Sequence, residues 1–95
     1  MDYVVVTRHQ VLVEVLRDRG IIAGDVMVID HVTDPEVLRG KVVIGILPLH
    51  LACLAEEIIA PEIDVPAELR GKELSREELE KFFKGVRRYR VLALD

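Results

Sequence analysis

The strongest constraint on the fold of this chain is a pair of short apolar runs that both end in polar residues. The runs cover residues 3–6 and 41–47, and valine dominates them. Continuous apolar runs of this length predict parallel strands that are buried on both faces of a sheet. The polar residues that follow them include Thr7, Arg8, His9 and His50. Because ligands bind outside the carboxyl ends of such strands, these side chains mark an expected site for an anionic ligand.

The rest of the chain alternates between helical and strand patterns. The predicted strands cover residues 3–6, 25–30, 41–47, 57–63 and 86–94, and the predicted helices cover residues 10–19, 48–55 and 75–84. Residues 33–36 form a turn and residues 65–74 a loop. Pro61 indicates that the fourth strand is an edge strand or carries a bulge. Ser75 and Glu78 form a capping box at the start of the third helix, and Gly85 is expected to end it.

This element order predicts an α/β fold. Short connections between alternating strands and helices favour a small doubly wound, Rossmann-like domain, with a mostly parallel sheet of about five strands and helices on both faces. At 95 residues the chain is expected to form one domain, residues 1–95. Its core is thin, which favours a homodimer. No internal repeat is expected, and no glycine-rich dinucleotide or triphosphate motif is present.

Composition excludes several classes of function. The net charge is −4, so the chain is not expected to bind long nucleic acid through its backbone. The single cysteine, Cys53, excludes a disulfide framework. The scattered histidines show no metal-ligand spacing, so no metal or other cofactor is expected. Without a signal peptide, an apolar span or a lipidation motif, the protein is expected to be cytoplasmic and not attached to a membrane.

The segment Thr7-Arg8-His9 is the first candidate site. The free N–H groups of a following helix bind phosphate readily. Arg8 adds a bidentate donor and Thr7 a hydroxyl, while His9 is suited to move a proton near neutral pH. The alternative is a purely structural turn in which Thr7 caps the helix.

The other two histidines are further candidates. His50 lies in the first turn of the second helix, where the helix dipole favours a neutral imidazole that suits a general base. The alternative is a partly exposed helical histidine without a role. His31 follows the second strand, and its structural alternative is a turn contact with Asp30 or Asp34.

The basic segments are Arg70-Gly71-Lys72 in the loop and the cluster of Arg87, Arg88 and Arg90. The first combines two cations with a flexible backbone and is able to fold over a phosphate. Its alternative is a solvated connection in which Glu68 and Arg70 are exposed. The second cluster is more typical of an edge strand that charge protects from further pairing.

Three segments together resemble a family of small CRISPR-associated proteins from type III systems. They are Val6-Thr7-Arg8-His9, residues 44–52 and residues 65–74. The resemblance covers nearly the whole chain and implies a fold related to CRISPR-associated Rossmann (CARF) domains. The chain departs from the family pattern where Gln10-Val11 and Val15-Leu16 replace a small residue and an aromatic residue of the first helix.

The resemblance implies a ring nuclease, an enzyme that opens cyclic oligoadenylate second messengers, with cyclic tetra-adenylate as substrate. Cleavage of this substrate needs no metal if a ribose 2′-hydroxyl attacks the adjacent phosphorus, which yields a 2′,3′-cyclic phosphate. The expected catalytic residues are His9, His50 and Arg8. The expected ligand-binding residues are Thr7, Arg8, Leu47, Pro48, Arg70, Gly71 and Lys72. Two alternatives are a cyclic oligoadenylate sensor or sequestering module that does not cleave, and a small α/β subunit that binds another protein.

Overall fold

The computed structural model describes residues 3–95; Met1 and Asp2 of the predicted domain lie outside the described residues. The strands are β1 (Tyr3–Val6), β2 (Met27–Ile29), β3 (Val42–Ile44), β4 (Glu57–Ile63) and β5 (Phe83–Tyr89). The α-helices are α1 (Gln10–Asp18), α2 (Leu49–Ala52) and α3 (Arg76–Phe82). Two 3₁₀ helices cover Pro35–Leu38 and Ala67–Leu69.

The strands form one five-stranded sheet in the order β2-β1-β3-β4-β5. The first four strands are parallel, and β5 runs antiparallel to β4. The central position of β3 agrees with its apolar sequence, since all three of its residues are buried. The predicted α/β, Rossmann-like class with a mostly parallel sheet is therefore confirmed.

The sheet buries side chains on both faces, as predicted. On one face, Val5 and Ile44 pack with Leu16 of α1 and Leu79 of α3. On the other face, a second cluster contains Leu38, Val43, Ala52, Ala55 and Ile58. Neighbouring residues of β3 belong to different clusters because side chains alternate across a strand. The two layers hold the carboxyl ends of β1 and β3 at one edge of the sheet.

Several predicted boundaries are wrong. The helix α2 ends at Ala52 rather than Ala55, and β2 and β3 are shorter than their sequence patterns. The strand β5 begins at Phe83, so Gly85 lies within β5 and does not end α3. Burial explains this difference, since Phe83 is packed into the core immediately after the last turn of α3. The predicted capping box of α3 is present, with bonds of 3.2 and 3.0 Å between Ser75 and Glu78.

Of the two alternatives predicted from Pro61, the edge strand is wrong, because β4 lies between β3 and β5, and the bulged strand agrees with an irregularity in the pairing with β5 between Glu62 and Ile63. Only residues 57–59 of β4 pair with β3. At Pro61 the sheet therefore has a neighbouring strand on one side alone. Because β3 does not pair with β4 at Pro61, the missing N–H group of the proline costs no hydrogen bond to β3.

The strand β5 forms a charged edge of the sheet, as predicted. Arg88 donates two hydrogen bonds of 2.7 Å to Glu57, and this pairing lowers the pKa of the Glu57 carboxyl from its ordinary value. Arg87 and Arg90 form further ion pairs with Glu62 and Glu56. Charges along an edge discourage pairing with another strand. Within residues 3–95, no helix is long and apolar enough to cross a membrane.

Gly45 fixes the distance between the ends of β1 and β3. Its φ is +147°, and a Cβ atom there would lie 2.6 Å from the carbonyl oxygen of Val6. We expect Gly45→Ala to destabilise the fold by more than the ~1–3 kcal/mol that backbone strain alone costs. The control is Gly24→Ala, which has φ of +70° but open space around the added methyl group. Urea unfolding measures the free energy of unfolding of both variants. Equal losses of stability would show that the contact with Val6 is unimportant.

Candidate functional site at the carboxyl edge of the sheet

Two cavities flank the turn between β1 and α1. The first, which we call the basic cavity, has a volume of about 260 Å³. Its polar side chains are those of His9, Arg70 and Lys72, and no carboxylate lines it. The remaining side chains of its lining are apolar and come from α1, α3, the end of β4 and the loop that follows β4. An apolar wall beside cationic groups suits a ligand that has both a flat apolar part and a negative charge.

A tight turn brings Arg70 and Lys72 to this cavity. The N–H of Lys72 donates to the carbonyl oxygen of Leu69 at 3.2 Å. Arg70 has φ −66° and ψ 138°, and Gly71 has φ +79°. These angles define a type II β-turn, whose third residue needs positive φ and is therefore usually glycine. We call residues 69–72 the cavity turn.

The same turn occurs a second time in the chain. The pattern Pro-x-x-Leu-Arg-Gly-Lys covers residues 35–41 and residues 66–72. Each copy begins with a 3₁₀ helix and ends in the same kind of turn, with Arg39 at φ −66° and ψ 123° and Gly40 at φ +73°. The expectation of no internal repeat is therefore wrong for this short motif. We call residues 38–41 the structural turn.

The two turns differ in whether a carboxylate neutralises their arginine. In the structural turn, Glu36 accepts hydrogen bonds from Arg39 at 2.6 and 3.2 Å, and the bonds and charge of Arg39 lower the pKa of Glu36. Ala67 occupies the position of Glu36 in the second copy. Arg70 donates to the carbonyl oxygen of Val65 at 3.3 Å and forms no ion pair within residues 3–95. The cavity turn thus leaves its arginine charge available to a ligand.

The helix α1 begins with an uncapped N-terminus beside the basic cavity. His9 is the N-cap residue, and no side chain caps the helix. Thr7 does not cap α1, contrary to the structural alternative, because the helix begins three residues later; its Oγ1 accepts a hydrogen bond from the N–H of His9 at 3.1 Å. No acidic residue lies in the first turn. The first N–H groups of the helix therefore keep their positive potential for a ligand.

The second cavity, which we call the Arg8 cavity, lies between the ends of β1 and β2 and has a volume of about 490 Å³. Thr7, Arg8, Asp30, His31 and Thr33 contribute its side chains together with neighbouring residues. His31 Nδ1 lies 2.9 Å from Asp30 Oδ1, so Asp30 is the partner of His31. Arg8 has no ion-pair partner among the residues that the structure describes. The cavity therefore combines an unneutralised cation with a histidine–aspartate pair.

Asp34, the other residue expected near His31, caps the first 3₁₀ helix. Its Oδ1 accepts a hydrogen bond from the N–H of Glu36 at 3.0 Å. Asp34 therefore stabilises the segment before the structural turn and leaves His31 to Asp30.

The predicted site residues fall into three places. His9, Arg70, Gly71 and Lys72 line the basic cavity. Thr7 and Arg8 line the Arg8 cavity, although Arg8 and His9 are consecutive in the chain. Leu47, Pro48 and His50 follow β3 and line neither of these two cavities.

His50 lies on a helix of a single turn. The helix α2 has four residues, so its dipole is much weaker than that of the helix predicted from the sequence. The His50 side chain is exposed, and its carbonyl oxygen accepts a hydrogen bond from Cys53 Sγ at 3.4 Å. In the described part of the chain, no three His, Cys, Asp or Glu side chains lie close enough to hold a metal ion together.

The fold and the cavities define a small Rossmann-like α/β protein with a basic cavity at the carboxyl edge of its sheet. The sequence profile of one family, described as "Putative CRISPR-associated protein (Cas_VVA1548)", matches residues 4–92. The chain therefore belongs to this family of CRISPR-associated proteins, which confirms that part of the resemblance. Searches among curated proteins and among solved structures found no match.

Proposed function

We propose that this protein is a ring nuclease that cleaves cyclic oligoadenylate, with cyclic tetra-adenylate as its substrate. The observation that carries the proposal is the basic cavity, in which an apolar wall lies beside His9, Arg70 and Lys72 without any carboxylate. An adenine base suits the apolar wall, and a phosphodiester suits the cations. The cavity is slightly smaller than typical small-molecule sites of about 300–1,000 Å³. It is therefore assigned to one nucleotide of the ring.

The reaction is an in-line transesterification at one phosphodiester of the ring. The ribose 2′-oxygen attacks the adjacent phosphorus, and the bond from phosphorus to the 5′-oxygen breaks. The products carry a 2′,3′-cyclic phosphate and a 5′-hydroxyl. Arg8 stabilises the charge that develops on the phosphate oxygens, and His9 donates a proton to the leaving 5′-oxygen.

The symmetry of the ligand favours a homodimer. A ring of four identical nucleotides has two-fold symmetry, which a two-fold pair of chains matches. Near the end of β3, the side chains of Ile46 and Leu49 are 79% and 75% exposed, and they offer apolar surface that a second chain is able to cover. Burial of this segment in a dimer would bring Leu47, Pro48 and His50 close to a ring bound on the two-fold axis.

The proposal predicts metal-independent cleavage of cyclic tetra-adenylate. The purified protein, incubated with the ring in EDTA, should form linear products with a 2′,3′-cyclic phosphate end, because the attacking oxygen comes from the substrate itself. Chromatography and mass spectrometry identify these products, with cyclic tri- and hexa-adenylate as comparison substrates. Titration calorimetry should give one ring bound for each pair of chains.

Each other outcome of this experiment identifies a different function. Cleavage that disappears in EDTA and returns with manganese contradicts the 2′-hydroxyl mechanism. Binding without cleavage identifies a sensor or sequestering module. Absence of binding to all three rings contradicts the proposal and favours the alternative of a small α/β subunit that binds another protein.

A further inference from the structure

The mechanism proposed above contains a proton donor and a cation but no group that accepts the proton of the attacking 2′-hydroxyl. We propose that His31 is this general base, that Asp30 positions it, and that the Arg8 cavity binds the phosphodiester that is cleaved. This inference rests on the proposed function and adds a catalytic residue to it. It is carried by the side chains that the Arg8 cavity brings together.

The close contact between His31 and Asp30 leaves one imidazole nitrogen suited to accept a proton. Asp30 Oδ1 lies 2.9 Å from His31 Nδ1. An ionised carboxylate has no proton of its own, so a nitrogen this close to it is favoured as the protonated one, and we assign the ring proton to Nδ1. The Nε2 atom of the neutral ring then carries a lone pair. The carboxylate also stabilises the imidazolium that forms when Nε2 takes the proton.

The sheet, rather than a long loop, sets the position of this pair relative to Arg8. In the parallel register of β1 and β2, Val6 is opposite Ile29. The N–H of Thr7 then donates to the carbonyl oxygen of Ile29 at 2.9 Å, one residue beyond the paired segment. Both polar segments therefore leave the sheet side by side at the same edge. Groups held by strand ends keep the geometry that catalysis needs better than groups on a free loop.

Charge in the Arg8 cavity also suits a phosphodiester. The Asp30 carboxylate is engaged by His31, and within residues 3–95 Arg8 has no carboxylate partner. A phosphodiester carries one negative charge, which complements the positive charge of Arg8. Its two free oxygens are also able to accept two parallel hydrogen bonds from the guanidinium. The cavity also contains the side chains of Thr7 and Thr33, whose hydroxyl groups are able to bond to phosphate or ribose oxygens.

The proposed step balances without any other reactant. His31 Nε2 removes the proton of the 2′-hydroxyl as the 2′-oxygen bonds to phosphorus. The bond from phosphorus to the 5′-oxygen breaks, and the 5′-oxygen receives a proton from His9. Proton exchange with water then returns both histidines to their starting states. The base and the acid must act on opposite sides of the phosphorus in an in-line reaction, which agrees with His31 and His9 lining separate cavities.

The two cavities also define the smallest ligand that can use the whole site. Arg8 and His9 are consecutive, yet each lines a different cavity. A ligand that contacts both must place a nucleotide in the basic cavity and a linked phosphodiester in the Arg8 cavity. The substrate is therefore an oligonucleotide, in which at least two nucleotides are joined through phosphate.

Single-turnover cleavage of cyclic tetra-adenylate by His31→Ala tests the inference. We expect the rate at saturating ligand to fall by about 10²–10⁴-fold, the usual contribution of proton transfer, with unchanged affinity. Added imidazole should restore part of the rate, which a purely structural role would not allow. Asp30→Asn should lower the rate less than His31→Ala does, again without loss of affinity, and Asp30→Glu should recover part of it.

A wild-type rate in both His31→Ala and His31→Gln would overturn the inference while leaving the proposed ring nuclease intact. Loss of affinity at an unchanged rate would overturn it as well, since His31 would then only bind the ligand. The His31 side chain is 60% exposed, so these substitutions should not disturb folding, which circular dichroism checks. If the wild-type protein itself binds the ring without cleaving it, the proposed function fails first, and the role of His31 fails with it.

Discussion

Replacement of Arg70 by alanine is expected to weaken the binding of cyclic tetra-adenylate by about ten- to hundredfold. A hydrogen bond from a charged donor contributes roughly 1.5–3 kcal/mol, which corresponds to this loss of affinity. The matched control is Arg39→Ala, because Arg39 occupies the same position of the structural turn but binds Glu36 and lines neither cavity. Titration calorimetry compares the two variants with the wild-type protein.

A second substitution at the same turn tests whether the free charge of Arg70 is what matters. Ala67→Glu reproduces the position that Glu36 holds relative to Arg39, three residues earlier. The new carboxylate should compete with the ligand for Arg70 and lower the affinity, whereas Ala67→Gln should not do so to the same extent. Equal losses in Arg39→Ala and Arg70→Ala would instead indicate a general effect of the turns on folding.

Most of the fold follows from local signals in the sequence. The apolar runs of β1 and β3 predict parallel strands buried on both faces, and the central place of β3 agrees with its complete burial. The capping box of Ser75 and Glu78 predicts the start of α3. The end of α3 was not predictable from Gly85, because burial of Phe83 decides where the helix gives way to β5. Long-range packing therefore overrides a local signal for helix termination at this point.

The site was predictable only in part. The sequence does predict that polar residues after β1 and the loop 65–74 contribute, and His9 and the cavity turn do line one cavity. It does not predict that Arg8 lies in a different cavity from His9. The direction of each side chain depends on the backbone angles of a three-residue connection, which residue types alone do not determine.

Two further features of the sequence bear on the candidate site. The repeated Pro-x-x-Leu-Arg-Gly-Lys pattern is visible by direct comparison of residues 35–41 and 66–72, and it distinguishes the neutralised Arg39 from Arg70. The adjacent pair Asp30-His31 at the end of β2 follows the same rule as Thr7-Arg8-His9 after β1. Because β1 and β2 are parallel neighbours, both segments reach the same edge of the sheet.

Proton transfer by His9 is the other prediction with a large expected effect. His9→Ala should lower the single-turnover rate at saturating cyclic tetra-adenylate by about 10²–10⁴-fold, because the leaving 5′-oxygen would lose its proton donor. Its affinity should change much less than that of Arg70→Ala, since Arg70 and Lys72 of the cavity turn remain. His50→Ala is measured beside it, because His50 follows β3 as His9 follows β1.

The comparison of these two histidines separates three mechanisms. A loss of rate in His9→Ala alone supports donation from the basic cavity, which His9 lines. A loss of rate in His50→Ala would mean that the segment after β3 reaches the ring. Since His50 lines neither cavity, this requires that a second chain closes over the ligand or that the segment moves. If both variants keep the wild-type rate, neither histidine moves a proton. Proton transfer would then be left to His31, while Arg8, Thr7 and the cavity turn hold the phosphodiester in line and stabilise its charge.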